Sequence, residues 1–193
     1  QYDDNFIAQL PYQPSDRMAV VMQEVNFNSR QQFGFVATAQ WKIGKWANGS
    51  VGGYYGFFRD RCDTFHDIPF DRLKWSGRLF ATAAIRPFPK HNLTLILQPV
   101  YQPRTIQGVY DIHDFFSLDA SLRWTSRNGR LSAILAGQNL TNFHFQTSDT
   151  WRGQNFTMRV NQNWRTLQLS LTYRLGNYKD KQRKELDTSR MGH

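Results

Sequence analysis

Cysteine is nearly absent. Cys62 stands alone among 193 residues, which excludes an internal disulfide framework and a cysteine knuckle for a metal. Long apolar runs are absent too: the longest, residues 18–22 (MAVVM) and 93–97 (LTLIL, broken by Thr94), fall short of the roughly 18 residues a membrane helix needs. HExxH, a phosphate-cradling glycine loop and a serine in a nucleophile elbow are all missing. No catalytic residue, metal site or cofactor is therefore expected, and the chain is not read as an enzyme. There is no initiator methionine and no signal peptide. Gln1-Tyr2-Asp3-Asp4 is a polar, mid-protein opening, as expected of a mature chain or an excised portion of an exported protein. Acidic residues are outnumbered, 15 Asp+Glu against 24 Lys+Arg for a net charge of +9. A basic balance can serve nucleic acid or anionic lipid. Here the cations are spread along strands and loops, with no basic helix and no nucleic-acid module, so nucleic acid is not an expected partner.

What is present is alternation. Only 40% of residues are hydrophobic yet 15% are aromatic, a mixture suited to a barrel with a polar lumen, a thin apolar belt and aromatic girdles. In residues 163–175, Leu167, Leu169, Leu171, Tyr173 and Leu175 share one parity, and Trp164, Thr166, Gln168, Ser170, Thr172 and Arg174 the other. A strand sends these sets to opposite faces.

Eight strands follow from the same pattern. The first covers 17–28, with Ala19, Val21, Val25 and Phe27 on one face and imperfect parity from Met18, Val20 and Met22. The second covers 33–44, where Phe33, Phe35, Ala37, Ala39, Trp41 and Ile43 oppose Gly34, Thr38, Gln40 and Lys42. The third, 49–61, has aromatic residues on both faces. The fourth, 73–87, puts Leu73, Trp75, Leu79, Ala81, Ala83 and Ile85 outside. The fifth, 92–105, holds Pro99 and Pro103, which weaken a central strand. The remaining three cover 115–126, 130–141 and 163–175. Strands of 11 residues or more exceed the roughly 5–6 typical of globular sheets, which favours a membrane barrel over a soluble antiparallel sandwich.

Linkers 45–48, 88–91 and 127–129 are short, while 62–72, 106–114 and 142–162 are long. Barrels of the outer membrane have short periplasmic turns and longer external loops. That places the last strand running inward and the tail 176–193 in the periplasm. The connection 29–32 should be external but is short. Outward Trp41, Trp124 and Tyr173 mark one girdle, and Phe27, Trp75, Tyr101 and Phe116 the other.

The motif GQNLTNF (137–143), a loop, and WRTLQLSLTYRLGNYKDKQRKELDTSRMGH (164–193) together resemble the end of the Bacteroidetes outer-membrane β-barrel family related to TonB-dependent receptors. Asn139-Leu140 matches the Asn-Leu pair of the penultimate strand. Tyr173-Arg174-Leu175-Gly176 matches the terminal YRFG, with Leu175 in place of Phe. The resemblance implies an all-β, antiparallel transmembrane barrel with about eight strands in this chain, residues 1–175, as part of a larger barrel. It also implies ligand uptake, with outer-membrane lipid, the rest of the barrel, a plug, TonB and a surface lipoprotein as partners.

Candidate ligand-contacting residues are His66, Asp67, His113 and Asp114, two His-Asp pairs in external loops that would suit a metal or polar ligand if the loops converge. Trp151 and Arg152, with Phe156, could stack on and hydrogen-bond a ring. Solvated loop residues are the favoured reading of the two His-Asp pairs, and packing onto neighbouring loops is the more common use of Trp151, Arg152 and Phe156. Lys42, Lys74, Arg78, Arg86, Arg104, Arg123 and Arg174 face the lumen, either drawing an anionic ligand or pairing with a plug or Asp119. The expected function is the C-terminal wall and rim of a receptor-like transporter. The alternatives are a self-contained eight-stranded barrel acting as an anchor or assembly partner, and an enzyme barrel needing a serine or acid-histidine set at the outer rim.

Overall fold

The computed structural model describes residues 2–16, 18–66, 68–160 and 165–175. Asp67, Trp164 and the tail 176–193 lie outside the described residues. The strands are β1 (Tyr2–Tyr12), β2 (Val21–Ile43), β3 (Ala47–Cys62), β4 (Phe70–Ile85), β5 (Leu93–Gln102), β6 (Thr105–Gln107), β7 (Tyr110–Ile112), β8 (Phe115–Thr125), β9 (Leu131–Gln138), β10 (Phe145–Asp149), β11 (Phe156–Val160) and β12 (Thr166–Tyr173). One sheet has the order β1-β2-β3-β4-β5-β8-β9-β12, and a smaller one the order β11-β10-β7-β6. Among the described residues every pair of neighbouring strands is antiparallel. The all-β antiparallel expectation holds, and the larger sheet is open: among the described residues β1 and β12 do not pair.

The main sheet has eight strands, but not the eight expected. Residues 2–12 form β1, in which Phe6, Ala8, Leu10 and Tyr12 alternate with Asn5, Ile7, Gln9 and Pro11. Residues 21–28 and 33–43 of the two expected segments are parts of one 23-residue strand, so 29–32 is not a connection. Its polar residues are extended and paired on both sides: Arg30 stands opposite Asp3 of β1 and Asp60 of β3, and Gln31 opposite Tyr2 and Arg59. Polarity there mimics a turn, yet no glycine or proline is present to make one.

With β2 continuous, strand direction sorts the connections. The described residues of 13–20, 63–69, 103–114 and 139–165 gather at one end, the rim; 44–46, 86–92 and 126–130 lie at the other. Length alone does not separate them, since 86–92 is as long as 63–69. Their content does, because the entire second sheet belongs to the rim connections.

Register carries the apolar parity across the sheet. Ile43, Ala47, Ile85, Leu95, Leu122, Leu135 and Leu169 form a continuous row from β2 to β12. This face is open to its surroundings, with Phe35 69% and Leu169 65% exposed, an arrangement suited to lipid rather than water. The adjacent row on the other face is Lys42, Asn48, Ala84, Ile96, Ser121, Ala136 and Gln168. The ambiguity of 49–61 also resolves. Tyr55 and Phe57 pack on Trp75 on the apolar face, while Tyr54 and Phe58 meet on the other. Pro99 is accommodated opposite Leu118 of β8, and the β4–β5 ladder skips the positions between Phe80 and Ala83 where the missing N–H would fall.

The buried core lies at the rim. Ala8, Leu10, Val25, Phe27, Cys62, Phe65, Ile68, Phe70, Val109, Tyr110 and Ile112 cluster there, with Phe6, Tyr12, Phe145 and Trp151 against them. This corrects the girdle assignment of Phe27, which is fully buried and meets Phe70 edge-on at 5.3 Å. Phe27 and Arg30 differ in parity yet both reach this core, so strict alternation breaks between them. Ala19 precedes the start of β2 at Val21, and Val25 joins the core, so the first expected strand does not present a lipid face.

Candidate functional site: the rim and the inner face

Three strands meet a hairpin turn at Asp60. Arg30 donates through Nε and Nη2 to the two Asp60 carboxylate oxygens, both at 2.7 Å. The same carboxylate accepts the Gly108 N–H at 2.8 Å. The guanidinium also lies 4.1 Å over the Phe6 ring, a cation–π contact. Arg72 extends the network: it donates to the Val109 carbonyl at 2.6 Å and to Asp111 at 2.9 Å. Arg104 donates to the other Asp111 oxygen at 3.1 Å. The β6–β7 hairpin is thus tied to β2, β3 and β4 by bidentate and charge-assisted bonds, which hold geometry as well as charge. Sequence reasoning missed Arg30, Asp60, Arg72 and Asp111 in this role; the signal was the charge alternation opposite them in register.

His66 stacks on Tyr12 with centroids 3.8 Å apart, and its Nε2 lies 2.7 Å from Gln23 Oε1. His113 instead places Nε2 2.9 Å from Ser148 Oγ, and Asp114 is exposed. Among the described residues no three His, Cys, Asp or Glu side chains gather to hold a metal ion. Trp151 is pinned: Nε1 donates to the Pro69 carbonyl at 3.3 Å, its N–H donates to Asp149 at 2.8 Å, and Arg72 lies 5.3 Å from its ring. Arg152 is exposed, at a positive φ of 45°. Trp151 therefore acts as a strut joining the last rim connection to 63–69.

Asp149 is fully buried and its Oδ2 has no partner. Burial pushes its carboxyl up from the ordinary 3.8 to about 6, against the Trp151 N–H and Arg72, which lower it. Its ionisation is thus opposed by its surroundings.

On the inner face, Lys42, Lys74, Arg78 and Arg123 share the polar parity. Arg86 and Arg174 follow the ends of β4 and β12, and Arg104 pairs with Asp111 at the rim. Asp119 is taken by the Asn139 N–H at 2.7 Å. Arg86 and Arg123 meet Lys45 and Arg127 around a recess of about 590 Å³ at the turn end, whose lining includes Asn92, Thr94 and Thr125 but no carboxylate. The Asn-Leu pair has a local account: Asn139 turns the chain out of β9 at φ 50°, a region asparagine tolerates, and its Oδ1 accepts the Phe143 N–H.

The outer membrane protein beta-barrel family matches residues 1–173. No curated protein and no solved structure matches the chain.

Proposed function

The chain belongs to the outer membrane protein beta-barrel family, and on that premise we propose that it forms the C-terminal wall and outer rim of a TonB-dependent-receptor-like transporter of the Bacteroidetes type. It lies in the outer membrane. The observation that supports uptake is the rim: three of its four connections contribute to a single buried core or its second sheet, and the fourth is tied to them by Gln13, whose N–H donates to Gln154 Oε1 at 2.8 Å. A preorganised rim presents ligand-contacting residues without an ordering penalty on binding. Arg152, Asp114 and His66 are the exposed candidates for that contact, with Asp67 next to His66 in sequence.

The remaining parts of the proposal follow from the same assignment. A plug and additional barrel strands fill and continue the wall, TonB acts through the plug, and a surface lipoprotein covers the rim. The inner cations, with few facing carboxylates, suit an acidic plug surface or an anionic ligand. The chain carries no catalytic role, and the tail 176–193 lies in the periplasm.

Immunoblotting of outer-membrane fractions with an antibody against the tail, with and without boiling, tests this. A heat-modifiable band well above 22.7 kDa is expected, together with uptake that is lost when either this protein or TonB is removed. A heat-modifiable band near 22.7 kDa would overturn the receptor assignment.

A further inference from the structure

Charge is segregated along the strands. The carboxylates of Asp60, Asp63, Asp71 and Asp111 pair with arginines near the rim. Residues 25–59, 72–110, 120–148 and 150–179 contain no Asp or Glu, and these stretches include the turn-end part of β2, β3, β4, β5, β8, β9 and β12. The charge there is positive alone, and it converges. Each of the three connections at that end contributes one cation to the recess of about 590 Å³: Lys45 from 44–46, Arg86 from 86–92 and Arg127 from 126–130. Arg123 of β8 supplies the fourth.

The backbone fixes where these cations stand. The Arg86 N–H donates to the Trp46 carbonyl at 2.6 Å, and the Thr125 N–H to the Asn92 carbonyl at 3.2 Å, which ties each connection to the next. Ser126 Oγ donates to Asn128 Oδ1 at 2.7 Å and accepts the Leu131 N–H at 3.0 Å, closing the third turn. Arg123 stands opposite Thr94 in register, on the face away from Leu95 and Leu122 of the apolar row. Like charges gathered in this way repel, and no carboxylate in the lining offsets the repulsion. An anion that enters removes that cost and gains charge-assisted bonds as well.

The recess also sets the class of anion. Guanidinium forks match the oxygens of a phosphate bidentately, and Arg86, Arg123 and Arg127 supply them. A phosphate monoester carries about −1.5 to −2 charge at neutral pH, so two of them balance the four cations. The volume of about 590 Å³ suits a small organic molecule, for which sites span roughly 300–1,000 Å³. Thr94 and Thr125 add neutral hydrogen-bonding groups to the lining, which suit hydroxyls beside the phosphates. The place of the recess opposite the apolar row points to a ligand from the aqueous side rather than a lipid headgroup.

We propose that the recess binds a soluble organic phosphate with two phosphoryl groups on a hydroxylated body, a sugar bisphosphate in chemical class. The inference deepens the receptor reading by giving the inner face a ligand, and it rests on that reading in needing this face to line an aqueous lumen.

The test is calorimetric titration of the full-length protein, purified from outer membranes in detergent, with fructose bisphosphate as the probe. Saturable binding is expected, with none for fructose. Arg123→Gln and Arg86→Gln should each weaken it about tenfold or more. Arg123→Lys should fall between, because it keeps the charge and loses the fork. Lys74→Gln, which removes an inner cation outside the recess, should leave binding unchanged. Two recess variants are used so that one misfolded variant, seen as loss of the heat-modifiable band, does not void the result. Absence of saturable binding would overturn the proposal, and is the outcome if an acidic segment of the same polypeptide fills the recess. Equal losses in Lys74→Gln and Arg123→Gln would also overturn it, since they would mean diffuse attraction. Nanodiscs separate the two sources of phosphate: probe binding that persists in phosphatidylcholine and is lost with cardiolipin would assign the recess to lipid and overturn the soluble ligand. A large heat-modifiable band without binding overturns this inference and leaves the receptor assignment standing, whereas binding by a protein of 22.7 kDa does the reverse.

Discussion

Arg30 and Asp60 face each other across β2 and β3 with two 2.7 Å bonds, and Asp60, 1% exposed, also holds the Gly108 N–H. One carboxylate thus fastens a rim hairpin to the wall. Asp60→Asn removes the charge and strands Arg30 beside Phe6 and Phe27. Breaking a buried pair by removing one partner destabilises by about 3 kcal/mol. Hydrogen exchange should speed up in residues 103–112 while the belt strands keep their protection. Unchanged exchange in that hairpin would refute the tether.

Gly34 and Gly56 are directly opposed, and a side chain on either strikes backbone. A Cβ at Gly56 would sit 2.6 Å from Gly34 Cα and overlap the Phe33 carbonyl. Gly56→Val should destabilise at the upper end of about 1–3 kcal/mol for overpacking. The fraction of protein in the heat-modifiable form should fall accordingly, and wild-type assembly would contradict the contact.

Leu169 and Gln168 separate the two faces. Lysine on the lipid face near mid-depth costs about 2–4 kcal/mol, whereas lumen positions tolerate it. Leu169→Lys should lower the urea midpoint of the barrel in vesicles, and Gln168→Lys should leave it near wild type. Equal effects would mean that the faces are assigned wrongly.

Asp149 makes the rim sensitive to pH. Its folded value of about 6 lies above the ordinary 3.8, so the protonated form favours the packed rim. That contribution is complete below the unfolded value and is lost as pH rises through the folded one. A two-unit shift corresponds to about 3 kcal/mol. Asp149→Asn keeps an oxygen for the Trp151 N–H and removes the charge. It should slow proteolysis of 139–160 above pH 7 and flatten its dependence between pH 4 and 6, and a pH profile like that of wild type would rule Asp149 out.

Trp151→Ala should expose the same segment without altering the wall, because its indole bonds Pro69 and packs on the rim core. A loss of ligand uptake with proteolysis unchanged would instead make Trp151 a ligand contact.

The chain's parity by itself determined the class of fold, the two faces and five of the belt strands, because alternate side chains on a strand must point oppositely whatever surrounds them. The terminal Leu167, Leu169 and Leu171 are legible in that way, as are Trp75, Tyr101 and Trp124. Only the tertiary structure decided which alternating segments meet lipid and which meet each other. Val25 and Phe27 read as lipid-facing until β1 and the β6–β7 hairpin cover them, and Ser29-Arg30-Gln31-Gln32 reads as a turn until its neighbours pair with it on both sides. The rim network was illegible for the same reason: Arg30, Asp60, Arg72 and Asp111 are separated in sequence, and only strand register and hairpin closure bring their charges within bonding distance.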